Sequence, residues 1–262
     1  CLVGPGIMSI PPTGWGAVEI LIWEYYQELQ KIGWVVDIIN TPDMNQIISK
    51  INSENYFFIH IHYDKFYPLM KDNLINAPHM AITSHYPYIN NSLKHKDDNY
   101  TDIFDYLSVL DSPKESIYYN IILSQKDKLA FLEHHQLQKN ANLEEYKSKL
   151  KMIRNGANPN LFTFYPNDEL KKYPNKTLCL GWITTRKNQA ILQSYLIQHQ
   201  KCELIDFAGR PEDLYFDYNH SSYLGEWSKK DVYSKMKEYS NLICYKFSIR
   251  NPNLFTKSII AV

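Results

Sequence analysis

Apolar residues along the chain recur at two spacings, one typical of amphipathic helices and one typical of short buried strands. Residues at helical spacing are Val18, Leu21, Ile22, Tyr25, Leu29 and Ile32. A short apolar run precedes them at residues 1–3, and another follows Gly33 at residues 34–39. Because glycine commonly ends a helix, this pattern predicts a strand, a loop, a helix that stops at Gly33 and a second strand.

The same alternation continues through most of the chain. Further predicted strands cover residues 56–61, 79–84, 119–124, 150–154, 177–182, 203–208 and 241–245. Further predicted helices cover residues 44–51, 126–134, 188–197 and 229–239. Strands that alternate with helices favour a mainly parallel sheet with helices on both faces. The predicted fold class is therefore α/β.

A segment rich in Asn, Pro and Tyr interrupts the alternation between Asn155 and Lys176. The loss of periodicity there indicates a domain boundary. We therefore expect two Rossmann-like domains, residues 1–165 and residues 166–262. The second is the shorter one, which leaves open whether it is small or only partly contained in this sequence.

Charge and composition narrow the classes of partner. The 28 basic and 28 acidic side chains balance, and no dense basic run occurs, so a nucleic-acid partner is not expected. No apolar run approaches the roughly 20 residues that span a bilayer. A peripheral membrane contact through a local patch stays open, because net charge does not report on such a patch.

The cysteines favour a reducing compartment. They are Cys1, Cys179, Cys202 and Cys244, and they form no C-x-x-C pair. Reduced thiols are the favoured interpretation over a disulfide framework in a chain of this length. We therefore expect a cytoplasmic protein.

The loop between the first predicted strand and the first helix is rich in glycine. Gly4, Gly6, Gly14 and Gly16 lie in it. Glycines let the backbone approach a ligand, and the free N–H groups of a helix start suit a phosphate or a sugar hydroxyl. The spacing is not G-x-G-x-x-G, which disfavours a dinucleotide-dependent oxidoreductase. A long turn in which glycine serves geometry alone remains the alternative.

Residues along nearly the whole chain resemble, in order, the landmarks of one family. They are Gly14-Trp15-Gly16-Ala17-Val18-Glu19, Ile59-His60-Ile61-His62, Thr83-Ser84-His85, Ser124-Gln125-Lys126-Asp127, Arg154-Asn155-Gly156-Ala157-Asn158 with Phe162, Leu180-Gly181-Trp182 with Arg186-Lys187-Asn188-Gln189, Phe207-Ala208-Gly209 and Tyr223-Leu224-Gly225-Glu226. This set resembles the group 1 (family 4) glycosyltransferases of the GT-B fold.

The resemblance implies a fold and an activity. It implies two Rossmann-like domains with a substrate cleft between them. It also implies transfer of a hexose from a nucleoside diphosphate sugar to a glycan or glycolipid acceptor. The anomeric configuration would be retained, and neither a metal nor a bound cofactor would be needed.

The resemblance also implies catalytic roles. His85 would contact the donor sugar or its diphosphate and donate a hydrogen bond to an oxygen that gains charge. Lys187 would neutralise the diphosphate leaving group. Trp182 stands where the family has an arginine, so either Arg186 is the second cation or this chain lacks one. A structural histidine and a solvated helix start are the alternatives for His85 and Lys187.

Further donor-binding residues follow from the same resemblance. They are Gly14, Trp15, Gly16, His62, Asn155, Gly209 and Glu226. His60 and His62 alternate along one predicted strand, so both should point to one face, in a cleft or in a structural role. A metal site is not expected there, because no acidic or cysteine ligand has a matching spacing.

The C-terminal segment departs from the family. The family carries a pair of glutamates there, whereas the last acidic residue of this sequence is Glu238, and Arg250 or Asn251 and Ser258 occupy the corresponding region. A divergent donor site, residues outside the given sequence and loss of activity all remain open. The rival functions are a catalytically impaired GT-B protein that binds a nucleotide or glycan, and an acceptor-free nucleotide-sugar epimerase or hydrolase.

Overall fold

The chain divides into two compact units, Cys1–Gly156 and Ala157–Val262. The computed structural model describes residues 1–13, 16–66, 69, 77–85, 117–137, 143–156, 173–243 and 259–261. Each unit has its own β-sheet. The predicted boundary between residues 165 and 166 lies outside the described residues, so its position stays a prediction.

The first unit is an alternation of strands and helices. Its strands are β1 (Leu2–Gly4), β2 (Ile38–Asn40), β3 (Phe58–Ile61), β4 (His79–Ser84), β5 (Ile117–Ile122) and β6 (Leu150–Met152). Its helices are α1 (Ala17–Lys31), α2 (Met44–Asn52), α3 (Gln125–Leu137) and α4 (Leu143–Lys149), with a 3-10 turn at Asp64–Phe66. The strands lie in the order β2-β1-β3-β4-β5-β6, and each pair is parallel. The predicted α/β class is confirmed, and α4 has no counterpart among the predicted helices.

The core of the first unit packs sheet side chains against α2 and α3. Val3 and Ile61 of the sheet are wholly buried, and so are Ile47 and Ile51 of α2. Phe131 of α3 belongs to the same cluster. Full burial of one such side chain contributes about 1.5–3 kcal/mol, so this packing fixes where the strand ends lie.

The strand order reverses between β1 and β3. The chain passes from β1 to β2 on one side and returns as β3 on the other side, where Leu2 pairs with His60 and Val3 pairs with Ile61. In open parallel sheets, the loops at the carboxyl ends of the strands diverge at such a point, and ligands bind there. The loop after β1 and the residues after β3 are therefore the natural place for a site in this unit.

Helix α1 stops near the predicted glycine, but the strand after it begins later than predicted. Gly33 has a φ of 91°, a left-handed conformation that glycine adopts easily. The strand predicted from Trp34 begins at Ile38, which pairs with Leu2. Trp34 is 52% exposed and Val35 is 96% exposed. The apolar residues that begin at Trp34 therefore lie outside the sheet, because within the described part of the chain they pair with no strand before Ile38.

The second unit has a smaller described sheet with one antiparallel edge. Its strands are β7 (Tyr173–Leu180), β8 (Ile205–Ala208), β9 (Tyr239–Ile243) and β10 (Ile259–Ala261). Its helices are α5 (Gln189–Gln198) and α6 (Lys229–Lys235), with 3-10 turns at Thr185–Lys187, Cys202–Leu204 and Met236–Glu238. The strand order is β10-β9-β7-β8, in which β7 is parallel to both neighbours and β10 is antiparallel to β9.

Two elements of the second unit differ from the predicted ones. β7 begins at Tyr173, inside the segment predicted to be a linker, and its register against β9 shifts between Tyr173 and Thr177. The irregular strand start covers only the end of that segment, because residues 157–172 lie outside the described part of the chain. α6 ends at Lys235, because a 3-10 turn replaces its predicted last turn before β9 begins at Tyr239. β10 has no counterpart among the predicted strands.

Candidate functional site

Three histidines lie together at the carboxyl ends of β3 and β4. The ring centroids of His60 and His62 are 3.9 Å apart, in agreement with their predicted position on one face. His62 Nδ1 and His85 Nε2 are 3.0 Å apart, a hydrogen-bond distance. His60 Nε2 lies 2.6 Å from Thr83 Oγ1. Parallel pairing of β3 with β4 brings these side chains together.

Burial keeps the three imidazoles uncharged near neutral pH. Burial lowers the pKa of His85 to about 4. Burial, and then the charges of His85 and of the N-terminus, lower the pKa of His60 to about 3. His62 is 1% exposed, and burial followed by repulsion from the other two rings holds its pKa well below the usual value. The three side chains therefore act as hydrogen-bonding groups and not as cations.

The His62–His85 pair has two free ends. His62 Nε2 and His85 Nδ1 are buried, and neither has a hydrogen-bond partner among the described residues. A neutral imidazole carries one proton, so the ring that donates within the pair presents an acceptor at its other nitrogen, and the ring that accepts presents a donor. One free end is thus a donor and the other an acceptor in either tautomeric arrangement. A hydroxyl group can satisfy either end.

A buried carboxyl group lies among the same strand ends. Burial raises the pKa of Asp64 to about 7, although a hydrogen bond from Ser84 partly opposes that change. Ser84 Oγ also lies 3.4 Å from Asn120 Oδ1 on β5. Asp64 Oδ1 and Asn120 Nδ2 have no hydrogen-bond partner within the described part of the chain. The Ser84 hydroxyl has one proton, so the charge of Asp64 decides which neighbour receives it.

The loop after β1 is held by Asn40 at the end of β2. Asn40 Oδ1 accepts a hydrogen bond from the Gly6 N–H at 2.9 Å, and its Nδ2 donates to the Met8 carbonyl at 2.7 Å. α1 then starts after Gly16, and Glu19 in its first turn is 5% exposed. A β-carbon on Gly16 would lie 2.9 Å from Glu19 Oε2. Because Gly16 has no side chain, the carboxylate of Glu19 can occupy the space beside it.

In the second unit, two glycines allow a close approach of the main chain at the ends of β7 and β8. A β-carbon on Gly209 would lie 1.9 Å from the Gly181 carbonyl oxygen, which no real contact permits. A β-carbon on Gly181 would lie 3.0 Å from Lys187 Nζ. The missing side chain lets this ammonium group lie against the main chain. A cation at the carboxyl ends of parallel strands is suited to bind an anion.

A second cation lies next to this position. The Arg210 guanidinium is 5.2 Å from the ring centroid of Trp182, a cation–π distance, and Trp182 is 44% exposed. The predicted second cation, Arg186, lies in the 3-10 turn, and its side chain is outside the described part. Nearby, Gln189 Oε1 accepts a hydrogen bond from the Thr184 N–H, whereas the buried Thr184 hydroxyl has no partner among the described residues.

The predicted residues of the first unit are partly brought together. His62 and His85 are direct partners, and Gly16 directly precedes α1 at the end of the loop after β1. Asn155 is exposed beyond β6, two strands away from β4, and no described contact joins it to the histidine pair. Gly14 and Trp15 lie outside the described residues.

The predicted residues of the second unit lie at one end of its sheet. Lys187 lies against Gly181, which in turn contacts Gly209. The Gly209 N–H donates to the Gly225 carbonyl at 3.0 Å, which brings the exposed Glu226 to the end of β8. Lys187, Gly209 and Glu226 were predicted from the sequence, and the fold brings them to the ends of β7 and β8. Their roles stay predictions.

Several polar residues at these strand ends received no role from the sequence. They are Glu19, Asp64, Ser84, Asn120 and Arg210. A signal exists for two of them. Asn120 is a polar residue inside an apolar strand pattern, and it is wholly buried. Glu19 lies three residues before the buried Ile22 on α1, so it shares the apolar face of the helix.

The described residues contain neither a metal-site arrangement nor a membrane-spanning helix. No group of three or more His, Cys, Asp or Glu side chains among them could hold a metal ion. None of the described helices is both long and apolar enough to cross a membrane. Cys1, Cys179 and Cys202 form no disulfide bond with one another.

The architecture defines an α/β protein with largely parallel sheets, of a kind found in glycosyltransferases. The structure is similar to that of AviGT4, a glycosyltransferase involved in avilamycin A biosynthesis, with a TM-score of 0.54 and 12% sequence identity. The match covers 92% of this chain and 67% of that chain. No protein-family model and no curated protein matches the sequence. At this identity, the similarity concerns the fold.

Proposed function

We propose that the chain is a glycosyltransferase that moves a hexose from a nucleoside diphosphate sugar to a glycan or lipid-type acceptor. Retention of configuration, independence of metals and cofactors, and the two-domain GT-B arrangement belong to this proposal. The observation that carries it is the position of the Lys187 ammonium against Gly181, beside Gly209. The fold similarity to a glycosyltransferase supports it.

The chemistry of the leaving group gives Lys187 its role. When the bond between the anomeric carbon and the diphosphate oxygen breaks, negative charge grows on that oxygen. A cation fixed at this oxygen stabilises the transition state more than the ground state. Arg210 supplies a second positive charge close by, on the ring of Trp182.

The histidine pair would position the neutral part of a substrate. Because His62 and His85 are uncharged near neutral pH, they offer directed hydrogen bonds to hydroxyl groups. Correct orientation of the reacting groups can contribute several kcal/mol to lowering a barrier. A cytoplasmic location and the absence of a nucleic-acid partner remain predictions. A peripheral membrane contact stays open.

Thermal unfolding with nucleotides tests the proposal. The chain is heated with UDP, GDP, ADP and TDP and their common sugars, without metal and then with magnesium. A ligand at about 100 times its Kd stabilises the folded state by about 2.7 kcal/mol, so the proposal expects a clear and magnesium-independent shift with one base. Lys187→Ala should abolish it. Lys201→Ala, at an exposed lysine after α5, is the matched control.

A cooperative melt without a shift by any nucleotide would contradict the proposed donor site. Equal nucleotide-induced shifts of the unfolding temperature in Lys187→Ala and Lys201→Ala would also contradict it. Transfer itself is measured by detecting a sugar-extended acceptor with a panel of sugars and glycolipids.

A second candidate is a protein that binds a nucleotide or glycan without turnover. Arg250 or Asn251 and Ser258 favour it, because they stand in the region where the family that the sequence resembles has carboxylates that hold the donor. A nucleotide-dependent shift without any product favours this binding protein. Release of free sugar indicates a hydrolase, and an altered sugar nucleotide indicates an epimerase.

A further inference from the structure

Three buried polar side chains form a hydrogen-bond chain across the carboxyl ends of β3, β4 and β5. Asp64 lies in the 3-10 turn after β3, Ser84 is the last residue of β4, and Asn120 lies in β5. Ser84 forms a hydrogen bond with the Asp64 carboxyl group, and its Oγ lies 3.4 Å from Asn120 Oδ1. All three side chains are more than nine-tenths buried, so bulk water does not compete for these contacts.

This hydrogen-bond chain lies on the core face of the sheet, whereas the histidines lie on the other face. Thr83 and Ser84 are consecutive in β4, so their side chains point to opposite faces. Thr83 Oγ1 contacts His60, so the histidines share the face of Thr83. Ser84 instead shares a face with the core residue Ile82, and Ile82 pairs with Asn120 in register. The three polar groups therefore form a unit that is separate from the histidine pair.

Asp64 has no charged partner within the described part of the chain. Burial raises its pKa, the bond from Ser84 opposes that change, and no charged neighbour contributes. A proton on Asp64 is therefore what keeps this buried group neutral. The elements around it carry the titratable side chains of His60, His62, Tyr63, Lys65, His79, His85 and Tyr119, those of Asp43 and Lys50 at α2, and those of Lys126, Asp127, Lys128 and Glu133 on α3.

The Ser84 hydroxyl has one proton and two acceptor neighbours, so the hydrogen-bond chain has two directions. When Asp64 is protonated, its carboxyl group donates to Ser84 Oγ, and Ser84 donates to Asn120 Oδ1. When Asp64 is ionised, it only accepts, so Ser84 must donate to it. Ser84 Oγ then faces Asn120 Oδ1 with no proton between these two acceptors.

A turn of the Asn120 amide removes this conflict. The amide carries an acceptor oxygen on one side and a donor NH2 group on the other. Asn120 Nδ2 has no hydrogen-bond partner within the described residues, so the turn breaks no bond there. After the turn, Nδ2 donates to Ser84 Oγ, and one end of the amide is paired, whereas without the turn neither end is. Because unpaired buried polar groups are costly, the turned amide is favoured while Asp64 is charged.

We propose that Asp64, Ser84 and Asn120 form a proton-linked switch, in which loss of the Asp64 proton to solvent reverses the hydrogen-bond chain and turns the Asn120 amide. The amide end that points away from Ser84 is then a donor NH2 group in the protonated state and an acceptor carbonyl in the ionised state. The pKa of Asp64, about 7, places this change near neutral pH. The switch thus changes a hydrogen-bonding group close to the strand ends, where parallel sheets bind ligands.

NMR of the full chain follows both ends of the switch between pH 5 and pH 9. In protein with 13C-labelled aspartate, the carboxyl carbon of Asp64 reports its charge, and 15N-labelled asparagine gives the side-chain amide signals of Asn120. We expect both sets of signals to change with one midpoint near pH 7. Constant Asn120 signals while Asp64 titrates would overturn the proposal, and so would an Asp64 that keeps one charge state throughout this range.

The turn of the amide is measured in the parent chain, so this test needs no variant. The nuclear Overhauser effect between the Asn120 NH2 protons and the Ser84 β-protons reports their separation. It should be weak at pH 5, where Oδ1 faces Ser84, and several-fold stronger at pH 9, where Nδ2 faces Ser84. Equal intensities at the two pH values would mean that the amide keeps one orientation, which contradicts the proposal.

Substitutions separate the switch from a through-space effect of charge. Asp64→Asn does not titrate, so it should keep the Asn120 signals constant from pH 5 to pH 9. In Ser84→Ala, Asp64 should still titrate, but Asn120 should no longer follow, because the connecting hydroxyl group is absent. Glu133→Gln, at an exposed position of α3, is the matched control and should behave like the parent. An Asn120 amide that still follows the charge of Asp64 in Ser84→Ala would overturn the switch.

The inference does not rest on the proposed function, because none of the three residues belongs to the proposed donor site. A coupled titration of Asp64 and Asn120 in a chain that binds no nucleotide would leave the switch and remove the transferase. Nucleotide binding that depends on Lys187, in a chain whose Asn120 amide does not respond to pH, would leave the donor site and remove the switch.

Discussion

The carbonyl oxygen of Gly181 lies 1.9 Å from the place where a β-carbon on Gly209 would stand. The side chain of alanine at position 209 would therefore displace the main chain at the ends of β7 and β8. We expect Gly209→Ala to lower the free energy of unfolding by about 1–3 kcal/mol or more, the usual cost of over-packing. Urea unfolding measures it, and nucleotide binding should weaken as well, because Lys187 lies against Gly181.

Gly156→Ala is the control for this substitution. A β-carbon there would meet no atom within 4 Å, and the residue is exposed. Its effect should stay within about 0.5 kcal/mol of the parent. Equal stability of Gly209→Ala and Gly156→Ala would show that the second unit tolerates this contact.

The buried carboxyl group of Asp64 should make stability depend on pH. Its pKa is about 7 in the folded chain and close to 3.9 in an unfolded one, so the folded state binds more protons between these values. Stability contributed by protonated Asp64 is present below pH 4 and is lost as pH rises through 7, at up to about 1.4 kcal/mol per pH unit. Asp64→Asn removes this loss, so the variant should gain stability over the parent across that window.

Ser84→Ala supplies an independent check on Asp64. The hydrogen bond from Ser84 favours the ionised carboxylate, so its removal should raise the pKa of Asp64 further. The difference in stability between Asp64→Asn and the parent, followed by urea unfolding from pH 4 to 9, should shift to higher pH in a Ser84→Ala background. A difference that does not change with pH would contradict the assignment.

The buried histidines should make the folded chain less stable as the pH falls, which is opposite to the effect of Asp64. The pKa of His60 is about 3 in the folded chain and about 6.5 in an unfolded one, so the unfolded state binds more protons between these values. Stability is therefore lost as pH falls below 6.5, by up to about 1.4 kcal/mol per unit for this residue. His60→Gln, which can still bond to Thr83 Oγ1, should resist acid better than the parent.

Difference curves are needed for this measurement. Asp64 and His60 have opposite effects between pH 4 and 6.5, so the curve of the parent can look flat while both contribute. Urea unfolding of His60→Gln and the parent at matched pH isolates the histidine. If the free energies of unfolding of the two proteins fall in parallel below pH 6.5, His60 accepts a proton in the folded chain without loss of stability.

The sequence predicts the parts of this fold that rest on local patterns. β4 has the predicted bounds, His79–Ser84, because a buried apolar run ends there at polar residues. The shared face of His60 and His62 follows from the period of a strand. The apolar run at Trp34 resembles a strand, yet the pairing with β1 begins only at Ile38, because an apolar pattern does not specify a ladder partner.

The polar clusters depend on contacts that no local pattern encodes. Asp64, Ser84 and Asn120 come from β5 and the ends of β3 and β4, and they meet only because of the order in which these strands pair. The stacking of Arg210 on Trp182 likewise joins the residues after β8 with those after β7. Arg186, proposed because Trp182 stands where the family has an arginine, stays a prediction, since its side chain lies outside the described residues. Arg210 is a further cation that only the pairing of β7 with β8 brings to Trp182.

Arg210 is expected to contribute to anion binding through its contact with Trp182. Exposed cation–π pairs contribute about 0.5–1 kcal/mol, and the guanidinium also brings a charge to the end of β8. Arg210→Ala should therefore weaken binding of the preferred nucleoside diphosphate by about fivefold, measured by calorimetry. Arg210→Lys should have an intermediate affinity, since it keeps the charge but loses the planar stack.

A comparison of nucleotide affinities between Arg210→Ala and a control variant distinguishes a direct role of Arg210 in anion binding from an effect of net charge. Arg154→Ala removes an exposed arginine from the first unit and serves as the matched control, with parental affinity expected. If Arg210→Ala and Arg154→Ala weaken binding equally, the effect comes from net charge, and screening by salt should abolish both losses. If only Arg210→Ala weakens binding and Trp182→Leu does the same, the aromatic ring orients the guanidinium toward the anion.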